Sequence, residues 1–261
     1  MTPQPTFLIP DRASDWAARL EAACAVLDAA FDTRLGISIP YQAGKPQAPV
    51  ADRVAFFRAK AKNPARWFSL HNGERSPLAC DEGASRFCSI GGRRYSNPGV
   101  YNVMVFLPSH APEAIEPVLV ALGDALEAHS TQYSSRLTAQ RLLTVYWRTA
   151  REQTGRAPLP ELSDDERTLP QLRNSLYDGL ASPFQPLSLG WLNYWSEETA
   201  RYLGFPDPAR DADLLRHSYR TPAGAWMVKL GDEPLDVGKP AHIRRLAAAY
   251  ERFPAAGVRP P

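Results

Sequence analysis

The side chains of this 261-residue chain best suited to chemistry are five histidines and three cysteines. The histidines are His71, His110, His129, His217 and His242, and none lies in an H-E-x-x-H pair or at C-x-x-C-type spacing. The nearest approach to a metal set is His71, Cys80 and Cys88. It lacks a close pair and a fourth ligand, both of which zinc sites usually show. The expectation is therefore no metal, with Cys80 and Cys88 acting as small buried hydrophobes. Cys24 falls on the apolar side of a predicted helix, where a thiol is inert rather than nucleophilic. There is no G-x-S-x-G elbow, Walker loop or G-x-G-x-x-G turn. Gly91-Gly92-Arg93-Arg94 has the groups to hold an anion through backbone N–H and guanidinium, but reads first as a hairpin turn carrying solvated arginines. No catalytic residue and no cofactor is expected.

Carboxylates are plentiful but scattered. Glu161, Asp164, Asp165 and Glu166 form the tightest run, which suits either the cap of a basic site on a partner or a solvated helix start. Between Gly155 and Gly238, 13 acidic residues face 8 basic ones, so this segment carries −5 within a chain of net charge +2. Glu197, Glu198, Asp232 and Glu233 extend the acidic edge. The same stretch is dense in aromatics: Trp191, Tyr194, Trp195, Tyr202, Phe205, Tyr219 and Trp226. Such residues dominate interface hot spots and equally fill cores.

Those side chains need a scaffold, and the chain has the material for one. A globule of this length buries roughly 70–75% of its unfolded surface without disulfides or metals. A net charge of +2 is too balanced for a nucleic-acid binder. Three cysteines without framework spacing fit a reducing compartment. The start, MTPQPTFLIPDRASDW, shows no basic segment leading into an apolar one, and no run of about 18 apolar residues occurs. A cytoplasmic protein away from membranes is expected.

Periodicity predicts helices over Ser14–Phe31, with Trp16, Leu20, Cys24, Leu27 and Phe31 on one face and Ser14 as N-cap, and over Ala51–Ala61, stopped by Asn63-Pro64. Further helices are expected over Pro112–Ala128, Thr138–Arg151, Thr168–Tyr177, Ser196–Leu203 and Lys239–Phe253. Strands are expected at Gly36–Pro40, Arg66–His71, Arg86–Ile90 and Trp191–Trp195. Val100–Leu107, β-branched and aromatic, gives the strongest strand signal. Gly91-Gly92 is read as a turn, and Leu214–Arg220 with Ala225–Leu230 as a hairpin about Pro222-Ala223-Gly224. The predicted fold class is α+β, a single domain with a mixed, mostly antiparallel sheet and flanking helices. Any internal boundary is placed near residues 155–166. The expected core includes Trp16, Leu20, Leu27, Val103, Val105, Trp191 and Trp226.

One resemblance adds to this. Gly190-Trp191, Leu203 to Asp207 (LGFPD), Gly224 to Asp236 (GAWMVKLGDEPLD) and Lys239 to Pro254 (KPAHIRRLAAAYERFP) resemble the immunity protein 52 family. The likeness covers mainly residues 189–259, and its residues are structural rather than catalytic. It implies a bacterial antitoxin that neutralises a cognate toxin by protein–protein contact. The implied toxin is a nuclease effector of type VI secretion, and direct contact with nucleic acid is not implied. A nuclease groove must be positive, so the partner site is expected at Glu161, Asp164, Asp165, Glu166, Glu197, Glu198, Asp232 and Glu233. Two other readings stay open, a hydrolase-like enzyme built on His217 and scattered carboxylates, and a small-ligand module. Convergence of His217 or His242 with carboxylates in a deep pocket favours the enzyme. A shallow acidic surface with exposed aromatics favours the immunity role.

Overall fold

The structure, a computed structural model, describes residues 5–10, 15–38, 47–63, 67–74, 86–95, 99–108, 112–134, 163–169, 180–236 and 238–257. Ser14, Cys80, His110, Glu161, the helix expected over 138–151 and most of that over 168–177 lie outside the described residues. The chain is α+β, and its strand pairs are antiparallel. It forms two compact units, Met1–Thr131 and Gln132–Pro261.

The first unit holds β1 (Thr6–Pro10), β2 (Ile37–Ser38), β3 (Ala48–Pro49), β4 (Phe68–His71), β5 (Ser89–Tyr95) and β6 (Val100–Phe106). The start of β7 (Ser130–Tyr133) completes the order β3-β2-β4-β5-β6-β1-β7. Helices α1 (Trp16–Phe31), α2 (Arg53–Ala61) and α3 (Ile115–Ala125) accompany the sheet. The V-Y-N-V-M-V-F run of β6 is a strand because branched and aromatic side chains fit a pleated surface. It pairs with β5 along seven residues and with β1 along five.

Three strands were not legible, among them the two-residue β3, which ends in Pro49. β1 is bracketed by Pro5 and Pro10, which read as breakers, yet the Pro5 carbonyl accepts the Val105 N–H at 3.0 Å. β7, S-T-Q-Y, has no apolar alternation. The glycine pair is a correction: Gly91 and Gly92 are not a turn but sit inside β5, opposite Met104 and Val103. Their value is room. A Cβ on Gly91 would lie 2.7 Å from the Phe68 carbonyl oxygen, and one on Gly92 would collide with that of Asn102. A Gly-Gly dipeptide signals a turn by composition, and close backbone approach by packing.

α1 presents the face expected of it: Trp16, Leu20, Cys24, Leu27 and Phe31 are buried. Asp15 stands at its N-cap without a side-chain cap bond, and Asp32 ends it in the left-handed region at φ 45°. Trp16 anchors an aromatic cluster, with ring centroids 5.0 Å from Tyr101, 5.3 Å from Phe68 and 6.2 Å from Phe57. The polar edges of α1 are clamped. Arg53 of α2 donates to Glu21 at 2.7 Å and to Asp28 at 2.5 Å, and Asp28 also accepts the Leu35 N–H at 2.8 Å. Buried Arg19 donates to Glu127, beyond the end of α3, at 2.6 Å.

The second unit holds α4 (Asp164–Arg167), β8 (Leu192–Trp195), α5 (Glu197–Leu203), α6 (Ala212–Leu215), β9 (Tyr219–Arg220), β10 (Trp226–Lys229) and α7 (Pro240–Arg252). (Helix numbers count the described helices.) The strands pair in the order β8-β10-β9, with Trp226 opposite both Trp195 and Arg220. The hairpin is shorter than expected because Leu214 and Leu215 are helical. Periodicity alone does not separate a short apolar run in a helix from one in a strand. Pro240 takes the first helical position of α7, where its missing N–H costs nothing. Trp195 is fully buried, 5.1 Å from Phe253 and 5.5 Å from Phe205.

Five of the seven expected core residues are buried. Trp191 and Trp226 are half-buried instead. The Trp191 indole N–H donates to the Gly231 carbonyl at 2.9 Å, and the Arg220 guanidinium lies 4.6 Å from the Trp226 ring. Trp191 thus has a polar partner at its rim, and Trp226 a cation over its face.

Trp16→Ala should cost about 3–5 kcal/mol, read as a lower urea midpoint at unchanged slope. An unshifted midpoint would mean that the ring does not hold the cluster together.

Candidate functional site

The expected acidic residues are best followed from their local structure outward. Ser163-Asp164-Asp165-Glu166 is a capping box: the Ser163 hydroxyl accepts the Glu166 N–H at 3.3 Å, and the Glu166 carboxylate accepts the Ser163 N–H at 2.8 Å. Glu166 is thereby turned inward and buried. Asp165 takes a hydrogen bond from Arg244 of α7 at 3.0 Å. Asp164 stays fully in solvent, 4.0 Å from Arg167.

Asp232 and Glu233 follow β10 and meet imidazoles. His217 Nδ1 lies 2.7 Å from Asp232. His242 Nδ1 accepts the Asp236 N–H at 2.9 Å, so its Nε2 is the atom left to donate to Glu233, 3.2 Å away. Asp165 and Glu233 thus meet α7 at Arg244 and His242, two residues apart, and positions so spaced do not share a helix face.

Glu197 and Glu198 open α5, whose Ser196 cap accepts the Thr199 N–H at 3.1 Å. Both are exposed, and Glu197 lies 3.5 Å from Arg201. Tyr202, 38% exposed, stands one turn beyond Glu198 and shares its face.

A buried pair holds the other side of α7. Asp211 accepts from Arg252 at 2.6 and 2.8 Å and from the Asp207 N–H at 2.8 Å, while Arg252 also reaches the Gly204 carbonyl at 2.7 Å. Beside it a cavity of about 360 Å³ opens between α6, β10 and α7, and the His217–Asp232 pair lines it. In the sequence His217 and Asp232 stand out separately, with nothing to show that they meet. They are 15 positions apart on either side of a hairpin, and only its register brings them together.

In the first unit the thiols are ill suited to nucleophilic work. Cys24 and Cys88 are free and buried. Burial pushes Cys24 far up and Cys88 up to about 12. Burial also lowers His71, whose Nδ1 accepts the Gly73 N–H at 3.1 Å. Among the described residues, no three His, Cys, Asp or Glu side chains gather as metal ligands, and no helix is long and apolar enough to cross a membrane.

Fold and site together define an α+β protein with an antiparallel sheet, flanking helices and a second unit whose charged groups gather around α7. Residues 34–261 match the family model described as Domain of unknown function (DUF5953), and the chain belongs to that family. Among solved structures it is similar to the Pseudomonas aeruginosa T6SS protein PA0821, at 16% identity and a TM-score of 0.56, over 97% of this chain and 73% of that one. At that identity the likeness is one of fold. No curated protein matches the chain.

Two outcomes follow. Arg252→Ala leaves the Asp211 charge buried without its partner and should cost about 3–5 kcal/mol, seen in the unfolding midpoint; a neutral result would mean that water reaches Asp211. The raised thiols set a pH limit. Their neutral forms favour the fold, so that stability is complete below the unfolded-thiol value of about 9 and is lost as pH rises from there toward about 12. Cys24→Ser/Cys88→Ser should flatten this alkaline slope in urea titrations between pH 8 and 11. A slope that stays the same would assign it to other groups.

Proposed function

We propose that this protein is an immunity protein that binds a cognate toxin of a type VI secretion system and neutralises it by protein–protein contact, without turnover of its own. The observation that carries this reading is the likeness of fold to a T6SS protein across almost the whole chain. The resemblance of residues 189–259 to the immunity protein 52 family supports it. A nuclease is the toxin proposed, because its phosphate-binding groove gives the carboxylates a positive surface to meet.

The side chains that suit such contact are not the acidic run as a whole. Glu166 serves its capping box and Asp165 its bond to Arg244. The better surface is α5, where exposed Glu197 and Glu198 stand beside exposed Tyr202. Carboxylates there steer encounter, and the ring supplies apolar area that loses water on docking. A stable complex needs about 800 Å² from each partner, so surfaces next to α5 must take part as well.

A second reading has one specific observation behind it. The His217–Asp232 hydrogen bond at the cavity is the orienting half of an acid–base device. That reading requires hydrolytic turnover that His217→Ala abolishes.

The deciding experiment is co-expression with the product of the neighbouring reading frame, where the immunity reading expects the toxin. The pair should co-purify, and growth should be protected. Glu197→Lys/Glu198→Lys/Tyr202→Ala should weaken binding at least tenfold with an unchanged unfolding midpoint, and the part due to charge should shrink as salt rises. Full affinity in the triple variant would move the contact away from α5. Failure to co-purify or to protect would overturn the immunity reading itself.

A further inference from the structure

Most of the charged side chains that line the cavity beside His217 are cations. Arg210 precedes α6, Arg216 follows it, Lys229 lies on β10, and Arg245 and Arg252 lie on α7. Only two carboxylates, Asp213 and Asp232, share the lining. Five Lys and Arg against two Asp leave it at +3. Asp211, which pairs with Arg252 just behind the wall, brings it to +2.

Not all of that charge is neutralised in place. Arg216 pairs with Asp213, Arg252 with Asp211, and His217 with Asp232. Arg210 and Arg245 meet no described carboxylate. The backbone makes room for one of them. The Arg245 guanidinium lies against Gly231, where a Cβ would collide with its Nη1. Arg245, Ala248, Ala249 and Arg252 recur at helical spacing, so they form one stripe of α7. The two alanines between them are small, and the two arginines start roughly 10 Å apart along the helix axis.

We propose that this cavity is a phosphate site, taking a small molecule through a phosphate or diphosphate group. Its volume of about 360 Å³ is that of a small-ligand pocket rather than a docking face. Guanidinium forks match the oxygens of a phosphate two at a time. A net charge of +2 around the cavity suits a group that carries close to two negative charges better than a single carboxylate. His217, held by Asp232, adds an imidazole to the wall of the same cavity.

The experiment is calorimetric titration of the full-length protein with inorganic pyrophosphate, orthophosphate and citrate at fixed ionic strength. Pyrophosphate should bind saturably at one site, and citrate at least tenfold more weakly. Arg210→Gln/Arg245→Gln should weaken pyrophosphate at least tenfold while the unfolding midpoint holds. Gly231→Ala keeps every charge but displaces Arg245, and should weaken binding severalfold. If the double variant fails to fold, Arg245→Lys keeps the charge, loses the fork and should bind severalfold more weakly. Absence of saturable binding, citrate equal to pyrophosphate, or unchanged affinity in the folded arginine variants would overturn the proposal. No toxin enters the assay, so its result is independent of the immunity reading.

Discussion

Burial of one face of α1 is the constraint on which the first unit depends. The helix buries Trp16, Leu20, Leu27 and Phe31, with Trp16 against Phe68 and Tyr101 of the sheet, and this apolar burial supplies the driving force. It also carries charged neighbours out of water, because a helix cannot bury one stripe without dragging its borders along. Arg19 goes under fully, and Glu21 and Asp28 in part. Each then needs a partner, since a half-buried charge without one is costly. Arg53 answers two of them from α2, and Glu127 answers the third from the end of α3. Burial costs the Arg53 charge, but the hydrogen bonds to Glu21 and Asp28 outweigh that cost and its pKa moves up. The ion pairs are thus consequences of packing α1, and they fix where the two other helices stand.

The second unit repeats this logic around α7. Ile243, Leu246 and Tyr250 face a core that includes Trp195, Phe205 and Phe253. Around that stripe, Arg244, His242 and Arg252 each find a carboxylate. Some polar atoms deeper in are satisfied as well, although Trp195 Nε1, Thr199 Oγ1 and Trp226 Nε1 are buried without a hydrogen bond. Buried Asn193 closes both ends of a local loop with Gly190 and donates to the Val228 carbonyl as well, and the Tyr250 hydroxyl accepts the Leu189 N–H. Most acidic residues that look free in the sequence are therefore engaged inside their own unit. Among the described residues, exposed charge remains at Asp164, on α5 and around the α6–β10–α7 cavity.

The legible parts of the sequence were those where a single element reports its own burial. α1 and α7 show their apolar stripes, β6 shows its branched run, and the Ser196 cap marks the start of α5. What could not be read depends on neighbours far along the chain. Gly91-Gly92 has the composition of a turn, and only the approach of β4 and β6 makes it part of a strand. β1 has prolines at its edges and gains its status from β6. The acidic run was visible, but the inward turn of Glu166 follows from a three-residue capping geometry that net charge does not register. The His217–Asp232 pair and the arginines around it lie on three separate elements, so no motif spacing could show them.

β1 has one further consequence, which concerns the order of synthesis. Its residues pair with Val100–Met104 on one side and with Ser130 on the other. At roughly 5–20 residues per second, a ribosome needs on the order of five to twenty seconds to make the first partner after it has made β1. During that interval Phe7, Leu8 and Ile9 are an apolar segment with both hydrogen-bonding edges open. Such a segment invites pairing with other nascent chains. The unit cannot close progressively from its first residues. It must keep its opening strand unspent until nearly all of its own length has been translated, which makes that strand a natural point of handover to a holding chaperone.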